Sequence, residues 1–167
     1  GLRYVALRYF NVAGASLDGT LGQATPEATH LIKVACETAC GKRDAISVFG
    51  TDYDTKDGTC IRDYIHVEDL AAAHVNALEH LATGGDSSIL NCGYGHGYSV
   101  REVLEMVRKV SGKHFEIREA DRRTGDSACL VSDNRAIREQ LGWIPEYEDL
   151  ELICRTAYRW ECKAPWN

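Results

Sequence analysis

Several common signatures are missing from this sequence of 167 residues. No apolar run approaches the roughly 20 residues that a helix needs to cross a bilayer. No signal peptide is visible at the start, which reads Gly1-Leu2 and contains no methionine. The motifs Gly-x-Ser-x-Gly, His-Glu-x-x-His and the P-loop are also absent, so hydrolase and kinase functions have no support. We expect no association with a membrane.

Positive charge is scarce as well. The chain has 19 Lys and Arg against 25 Asp and Glu, which gives a formal net charge of −6. Nonspecific nucleic-acid binding depends on a basic surface that neutralises phosphates, so no nucleic-acid partner is expected. A few local arginines are still enough to bind a small anionic ligand. The hydrophobic content of 44% is typical of a globular domain with a real core.

The seven cysteines include no close Cys-x-x-Cys pair of the kind that a zinc ribbon requires. Cys36 and Cys40 lie one helical turn apart with His30 nearby, which leaves a metal site conceivable. Buried apolar thiols in a reducing compartment are the favoured interpretation. We therefore expect no metal ion and a cytoplasmic protein.

The order of elements predicts an α/β fold with some mixed pairing, because strands and helices alternate along the chain. The first strand, at residues 4–12, is rich in aromatic and branched side chains and is predicted to be buried on both faces. Further strands are predicted at 45–49, 61–65, 89–92 and 115–118, and helices at 30–39, 67–81, 99–112, 134–141 and 150–161. The second of these helices places an apolar face on one side: Leu70, Ala71, Val75, Leu78 and Leu81.

The glycines at 93, 95 and 97 resemble part of a dinucleotide-binding motif. That motif needs Gly-x-Gly-x-x-Gly, but position 98 is Tyr. A tight turn between a strand and a helix that opens with the capping-box pattern of Ser99 and Glu102 accounts for these glycines without any ligand. The sequence therefore predicts a structural turn here.

Arginines near strand and helix ends are the candidate ligand-binding groups. Arg62 lies on a short apolar run before a helix, and its guanidinium offers paired donors that match phosphate oxygens. Arg122 and Arg123 follow a strand, and taken alone they are typical of surface ion pairs. Combined with Arg62 they offer a second clamp for a diphosphate. Asp126 is positioned either to accept a hydrogen bond from a ribose hydroxyl or to orient Arg123.

Asn11 follows Phe10 at the end of the first strand, where open α/β sheets place ligand contacts. Asparagine at a strand end is equally often a turn former, so both interpretations stay open.

Four blocks of the sequence closely resemble the C-terminal portion of the UDP-glucose 4-epimerase family, a branch of the extended short-chain dehydrogenases. The blocks are residues 7–15, residues 49–71, residues 91–100, and residues 122–126 with 141–143. The resemblance implies the last strands of an NAD-binding Rossmann-type parallel sheet, interleaved with a smaller mixed α/β substrate domain. It further implies that residues 1–15 end the sheet, that residues 16–167 mainly bind the UDP-sugar, and that elements near 61–92 return to the sheet.

The resemblance also assigns roles to individual residues. Phe10 would lie beside the nicotinamide of NAD. Substrate contacts are implied for Asn11, His30, Leu31, Ser47, Val48, Phe49, Arg62, Arg123 and Asp126. Many members have Asn where this chain has His30. Some have Tyr where it has Leu130, and the smaller side chain suggests room for an N-acetylated hexose.

The implied activity is interconversion of UDP-glucose and UDP-galactose in galactose metabolism, by NAD-mediated oxidation and reduction at carbon 4. The family's Gly-x-x-Gly-x-x-Gly turn and Tyr-x-x-x-Lys pair do not occur in this sequence. We therefore expect no catalytic residue in this chain, and no epimerisation by it alone. The full-length family member would be a homodimer. Alternatives are another UDP-sugar 4-epimerase (UDP-xylose/arabinose or UDP-N-acetylhexosamine), a sugar-nucleotide dehydratase, or a non-catalytic nucleotide-sugar binding module.

Overall fold

The computed structural model describes residues 1–163, so residues 164–167 of the predicted substrate domain lie outside the described residues. The helices are α1 (Leu31–Ala39), α2 (Val67–Ala82), α3 (Val100–Ser111), α4 (Arg135–Leu141) and α5 (Leu150–Lys163). The strands are β1 (Val5–Tyr9), β2 (Asn11–Ala13), β3 (Ala45–Phe49), β4 (Ile61–Arg62), β5 (Tyr64–His66), β6 (Ser88–Cys92), β7 (Tyr98–Ser99), β8 (Glu116–Ala120) and β9 (Cys129–Leu130). Within this part of the chain, no helix combines the length and apolar character that a membrane span requires.

The strands form small sheets that are mostly parallel. β1 pairs with β6, β2 with β5, and β3 with β8, each in parallel register. β4 pairs antiparallel with β7 and parallel with β9. Parallel pairs need long crossovers, and here helices supply them, as the alternating sequence pattern predicts.

The prediction of one continuous strand at residues 4–12, buried on both faces, is wrong. The strand breaks at Phe10, where the chain changes partner from β6 to β5. Tyr4 and Tyr9 are 49% and 57% exposed. Among residues 1–163, β1 pairs with β6 alone, so its apolar composition is only partly covered.

Helix α2 has nearly the predicted length, but its most buried side is not the predicted apolar face. Val75 and Leu78 are 53% and 68% exposed, whereas Asp69, Ala73 and Ala77 are buried. Alanines allow the helix axis to approach the strands closely. The carboxylate of Asp69 accepts hydrogen bonds from the backbone N–H groups of residues 146 and 147, at 2.8 and 3.0 Å. The side of α2 that is buried is thus the one that carries the hydrogen-bonded Asp69, and not the one with the larger apolar side chains.

The core lies between the parallel strand pairs and a layer formed by α1, α3 and α5. Its largest fully buried side chains include Trp143, Ile65, Leu90, Leu104 and Ile153. Helix α3 begins with the predicted capping box, in which the Ser99 hydroxyl accepts from the Glu102 N–H while the Glu102 carboxylate accepts from the Ser99 N–H. It ends at Gly112 with φ +65°, a left-handed conformation that suits glycine.

A buried histidine joins three elements where β2, β5 and α5 meet. His66 caps α2 by accepting the Glu68 N–H at its Nδ1 (3.2 Å), and its Nε2 lies 3.3 Å from the Thr156 hydroxyl. This is the neutral ring with the proton on Nε2. Gly14 (φ +85°) passes so closely that a Cβ atom there would lie 2.7 Å from the His66 ring. The ring therefore has a structural role, because it fills the space between Gly14, α2 and α5.

Stability should fall on acidification because of His66. Burial lowers the pKa of His66, although the nearby Asp69 and Glu68 partly oppose this effect. The unfolded chain, with an ordinary histidine pKa of about 6.5, takes up the proton first. The contribution of the neutral ring is thus complete above about pH 6.5 and is lost as the pH falls toward the lower folded-state pKa. Urea unfolding at several pH values measures this loss.

The matched comparison uses His66→Asn and His114→Asn. His114 is exposed, so its replacement should leave the pH dependence of the unfolding free energy unchanged. His66→Asn should be less stable at neutral pH and lose less on acidification. An equal acid-induced loss in wild type and His66→Asn would contradict this role.

Candidate functional site

The candidate site is organised by two adjacent residues that point in opposite directions. Asp63, between β4 and β5, is fully buried. Its carboxylate accepts hydrogen bonds from the backbone N–H of Tyr94 (3.0 Å) and Gly95 (3.1 Å), and from both the N–H (3.2 Å) and the hydroxyl (2.7 Å) of Ser132. Because successive side chains of extended backbone alternate between faces, Arg62 then points to the other side.

The turn at residues 93–97 packs directly on this carboxylate. A Cβ atom at Gly93 would lie 2.6 Å from the Asp63 carboxylate, and one at Gly97 would lie 2.7 Å from the Ile61 side chain. Gly95 has φ +86°. Close packing and a left-handed backbone therefore account for all three glycines, which confirms the interpretation as a structural turn.

On the side of Arg62 lies an open cleft of about 680 Å³. Residues between positions 11 and 126 contribute to it, including parts of β3, β4 and the start of α1. It contains most of the residues singled out from the sequence: Asn11, His30, Leu31, Ser47, Phe49, Arg62, Arg123 and Asp126. Residues that are far apart along the chain are therefore brought together.

Three of the singled-out residues do not line the cleft. Val48 is 1% exposed and packs into the core, so any ligand contact there would have to come from its backbone. Phe10 is half-buried at the break between β1 and β2. Leu130 is 51% exposed on β9, where it is the register partner of Arg62.

Arg62 is held at the cleft by its neighbours. One guanidinium nitrogen, Nη1, donates to the carbonyls of Ile61 and Ser127, both at 2.8 Å. The other, Nη2, donates to the Asp126 carboxylate at 3.3 Å. Of the five N–H groups of an arginine, these bonds leave the Nε–H and one Nη2–H without a partner among residues 1–163. The guanidinium is thus oriented yet keeps donors for an anion.

The two consecutive arginines of the 122–126 loop have different surroundings. Arg122 forms an exposed ion pair with Asp52 at 2.6 Å and lies over the Tyr53 ring. Arg123 lies over the Phe49 ring, 3.8 Å from its centroid, and lines the cleft. Only the second arginine is therefore placed to meet the same ligand as Arg62.

A third positive feature is the start of α1, which lies in the cleft at His30 and Leu31. The His30 side chain makes no capping hydrogen bond, and the first turn contains no acidic residue. The His30 ring contacts Gln23 instead, with 3.0 Å between their nitrogens. The first backbone N–H groups and the positive end of the helix dipole are therefore available to an anion.

Another wall of the cleft is the free edge of β3. Within the described part of the chain, this strand pairs with β8 alone, so its second edge carries backbone groups without a strand partner. Ala45, Ile46, Ser47 and Phe49 line the cleft along that strand. An uncharged ring with an amide-like edge is complementary to such a strand edge.

Sequence reasoning missed several residues that line the cleft, including Tyr64, Val100 and Arg43. A signal for Tyr64 existed, because it lies two residues after Arg62 in an extended run and so shares its face. Arg43 is different. It donates to the Ala28 carbonyl at 3.3 Å and pairs with Glu37, and nothing in its local sequence indicated this position.

No three or more His, Cys, Asp or Glu side chains are grouped so as to hold a metal ion, as far as the structure describes the chain. The prediction that cysteines are buried thiols is only partly right. Cys36, Cys60, Cys92 and Cys154 are buried, Cys40 is half-buried, and Cys129 and Cys162 are exposed.

Comparison with known proteins agrees with this geometry. A model of the NAD dependent epimerase/dehydratase family matches residues 1–93. The UDP-glucose 4-epimerase of Azospirillum brasilense is 60% identical over 161 residues, which cover 96% of this chain and 46% of the relative. The chain spans about half the length of the curated relatives it matches.

Two solved structures are similar in both sequence and fold. The UDP-glucose 4-epimerase from Brucella ovis in complex with NAD is 48% identical, with a TM-score of 0.91 over 95% of this chain and 49% of that one. The UDP-Glc/GlcNAc 4-epimerase from the human pathogen Campylobacter jejuni is 56% identical, with a TM-score of 0.81 over 97% and 49% of the two chains. These likenesses confirm the resemblance to UDP-glucose 4-epimerases and the α/β fold with Rossmann-type parallel pairing.

Replacing Asp63 by Asn should destabilise the fold by about 2–4 kcal/mol. An amide nitrogen in place of one oxygen would face donors that now bind a carboxylate. The control is Asp54→Asn, at an exposed position, which should change the unfolding free energy by less than about 0.5 kcal/mol. Denaturant unfolding of both variants gives the two values. Equal stabilities would show that Asp63 does not organise the site.

Proposed function

The chain belongs to the NAD dependent epimerase/dehydratase family, and we propose that it supplies the UDP-sugar-binding part of a UDP-glucose 4-epimerase. Such an enzyme interconverts UDP-glucose and UDP-galactose at carbon 4 of the sugar. The observation that carries the proposal is the meeting of Arg62, Arg123 and the start of α1 in one cleft, beside the free edge of β3. A diphosphate and an uncharged base are the chemical groups that these features suit.

The diphosphate is assigned to the positive part of the cleft. Arg62 offers two N–H groups from a guanidinium that its neighbours hold in place, and Arg123 lies on the same cleft. The uncapped start of α1 adds backbone donors. Guanidinium groups and helix starts both bind phosphate oxygens well, because their donors match the geometry and charge of the anion.

Uracil is assigned to the edge of β3. The backbone of Ser47, Val48 and Phe49 offers the alternating donors and acceptors that an amide-like base edge requires. The burial of the Val48 side chain is consistent with this assignment, because only its backbone is needed. Asn11 and Asp126 are the polar residues proposed for the diphosphate and for the ribose or sugar.

NAD is proposed as the cofactor, and Phe10 as the residue of this chain beside it. A half-buried aromatic ring at the break between β1 and β2 suits the flat face of a nicotinamide. When bound, NAD supplies the redox chemistry at carbon 4 of the sugar. This chain would hold the nucleotide firmly and leave the sugar free to turn on its diphosphate. The whole protein is further proposed to be a cytoplasmic homodimer.

Calorimetric titration with UDP tests the proposal on the chain itself. Arg62→Ala and Arg123→Ala should each weaken UDP binding by roughly 10- to 100-fold, because each loses charge-assisted hydrogen bonds. Uridine has no phosphate, so its binding should be changed much less by either substitution. Arg101→Ala is the matched control, since Arg101 forms an exposed ion pair with Glu119 and does not line the cleft.

The proposal fails if wild-type chain binds UDP no better than uridine. It fails equally if the Arg101 variant loses as much affinity as the two cleft variants.

A second candidate substrate, a UDP-N-acetylhexosamine, is favoured by Leu130. The side chain is half exposed beside Arg62, and it is smaller than the Tyr that the resemblance implies for this position in some members of the family. The similar Campylobacter jejuni enzyme is described as acting on both UDP-Glc and UDP-GlcNAc. We propose that Leu130 leaves room for the acetamido group.

Leu130→Tyr should therefore discriminate between the two sugars. We expect binding of UDP-GlcNAc to weaken by about 10-fold or more, while binding of UDP-glucose changes less than about 2-fold. Leu130→Met, of similar volume, is the control and should retain both affinities. If wild-type chain binds UDP-glucose but not UDP-GlcNAc, the proposed role of Leu130 is wrong.

A further inference from the structure

Four of the seven cysteines lie along the seam between α1 and α5. Cys36 and Cys40 are one turn apart on α1 and its C-cap, and Cys154 and Cys162 are two turns apart on α5. Cys36 and Cys154 are buried at 1% and 0% exposure. At the open end of the seam the Cys40 and Cys162 sulfurs are only 2.8 Å apart, although 122 positions separate them in the sequence.

We propose that Cys40 and Cys162 are a modification site, at which an oxidant forms a disulfide that fastens the last turn of α5 to the end of α1. The pair meets the first requirement for such a bond, since the sulfurs are in contact and neither helix has to move far. Solvent access meets the second, because Cys162 is exposed and Cys40 is half-buried. This inference is independent of the proposed function.

Buried charges already join the last turn of α5 to α1 and to the segment that follows α1. Glu161, next to Cys162, is 1% exposed, and its carboxylate accepts from Lys33 at 2.5 Å and from Lys42 at 2.7 Å. Lys42 also donates to the Glu161 backbone carbonyl at 2.8 Å. Two lysines on either side of Cys40 thus fix the residue beside Cys162. In the folded chain, joining the two sulfurs therefore costs little further conformational entropy.

The reaction balances with a peroxide as the co-reactant. The Cys162 sulfur attacks one oxygen of hydrogen peroxide and the O–O bond breaks. Water is released, and Cys162 becomes a sulfenic acid. The Cys40 sulfur then attacks the Cys162 sulfur, the S–O bond breaks, and the Cys40 proton leaves with hydroxide as a second water. Burial and the hydrogen bond with Cys162 raise the pKa of Cys40 to about 12, so Cys40 stays protonated at neutral pH and the first attack on peroxide is assigned to the exposed Cys162.

The disulfide should stabilise the chain without blocking the cleft, since neither cysteine lines it. It would close a loop of more than 100 residues, and long loops give the larger stabilisations. For a chain of this size we expect the melting temperature of the oxidised protein to exceed that of the reduced protein by about 5–15 °C.

The test treats the purified chain with hydrogen peroxide and then digests it with trypsin without reduction. Cleavage after Lys33, Lys42, Arg159 and Lys163 should yield residues 34–42 joined to residues 160–163, with the loss of two hydrogens and reversal by dithiothreitol. Cys162→Ser and Cys40→Ser should each abolish the joined peptide and the rise in melting temperature. Cys129→Ser, at the other exposed cysteine, should leave both results intact.

Two results would overturn the proposal. One is oxidation that stops at sulfenic or sulfinic acid, or that yields only cross-linked dimers, while residues 34–42 and 160–163 stay separate. The other is a joined peptide that survives in Cys40→Ser, which would assign the bond to Cys36.

Discussion

The structure depends on one buried carboxylate more than on any other single group. The two carboxylate oxygens of Asp63 bind the 93–97 turn and Ser132, in the segment after β9, at distances of 2.7–3.2 Å. A buried charge of this kind is tolerated only when donors surround it. Because Asp63 is fixed inward, Arg62 is fixed outward into the cleft. The position of Arg62, the principal phosphate-binding candidate, thus follows from the hydrogen bonds that surround the buried carboxylate of Asp63.

Helix α1 connects binding with stability. Its start, at Leu31, is uncapped and opens into the cleft, whereas Lys33, in the same first turn, belongs to a cluster of buried charges that includes Glu161 of α5. Such a cluster costs desolvation energy but accepts only one arrangement of its partners. The helix is therefore held in one position, which is what a site built from its first turn requires.

Local signals in the sequence were read correctly where local interactions decide the structure. The capping box at Ser99, the strand β3 and the turn at the 93–97 glycines all depend on residues close together in the chain. The predictions failed where a distant partner decides. The burial of Asp69 rotates α2 so that Val75 and Leu78 remain exposed, and the change of partner at Phe10 divides the first strand.

The sequence by itself determined the α/β class, the resemblance to UDP-glucose 4-epimerases and the identity of most cleft residues. These conclusions rest on short motifs, whose residues act through their own backbone geometry and side-chain chemistry. Only the tertiary structure decided that Arg62 and Arg123 meet in one cleft, that Arg122 does not, and that Arg43 joins them. It also brought Cys40 to Cys162. Spacing along a chain carries no information on such contacts, because they form only when distant elements pack against one another.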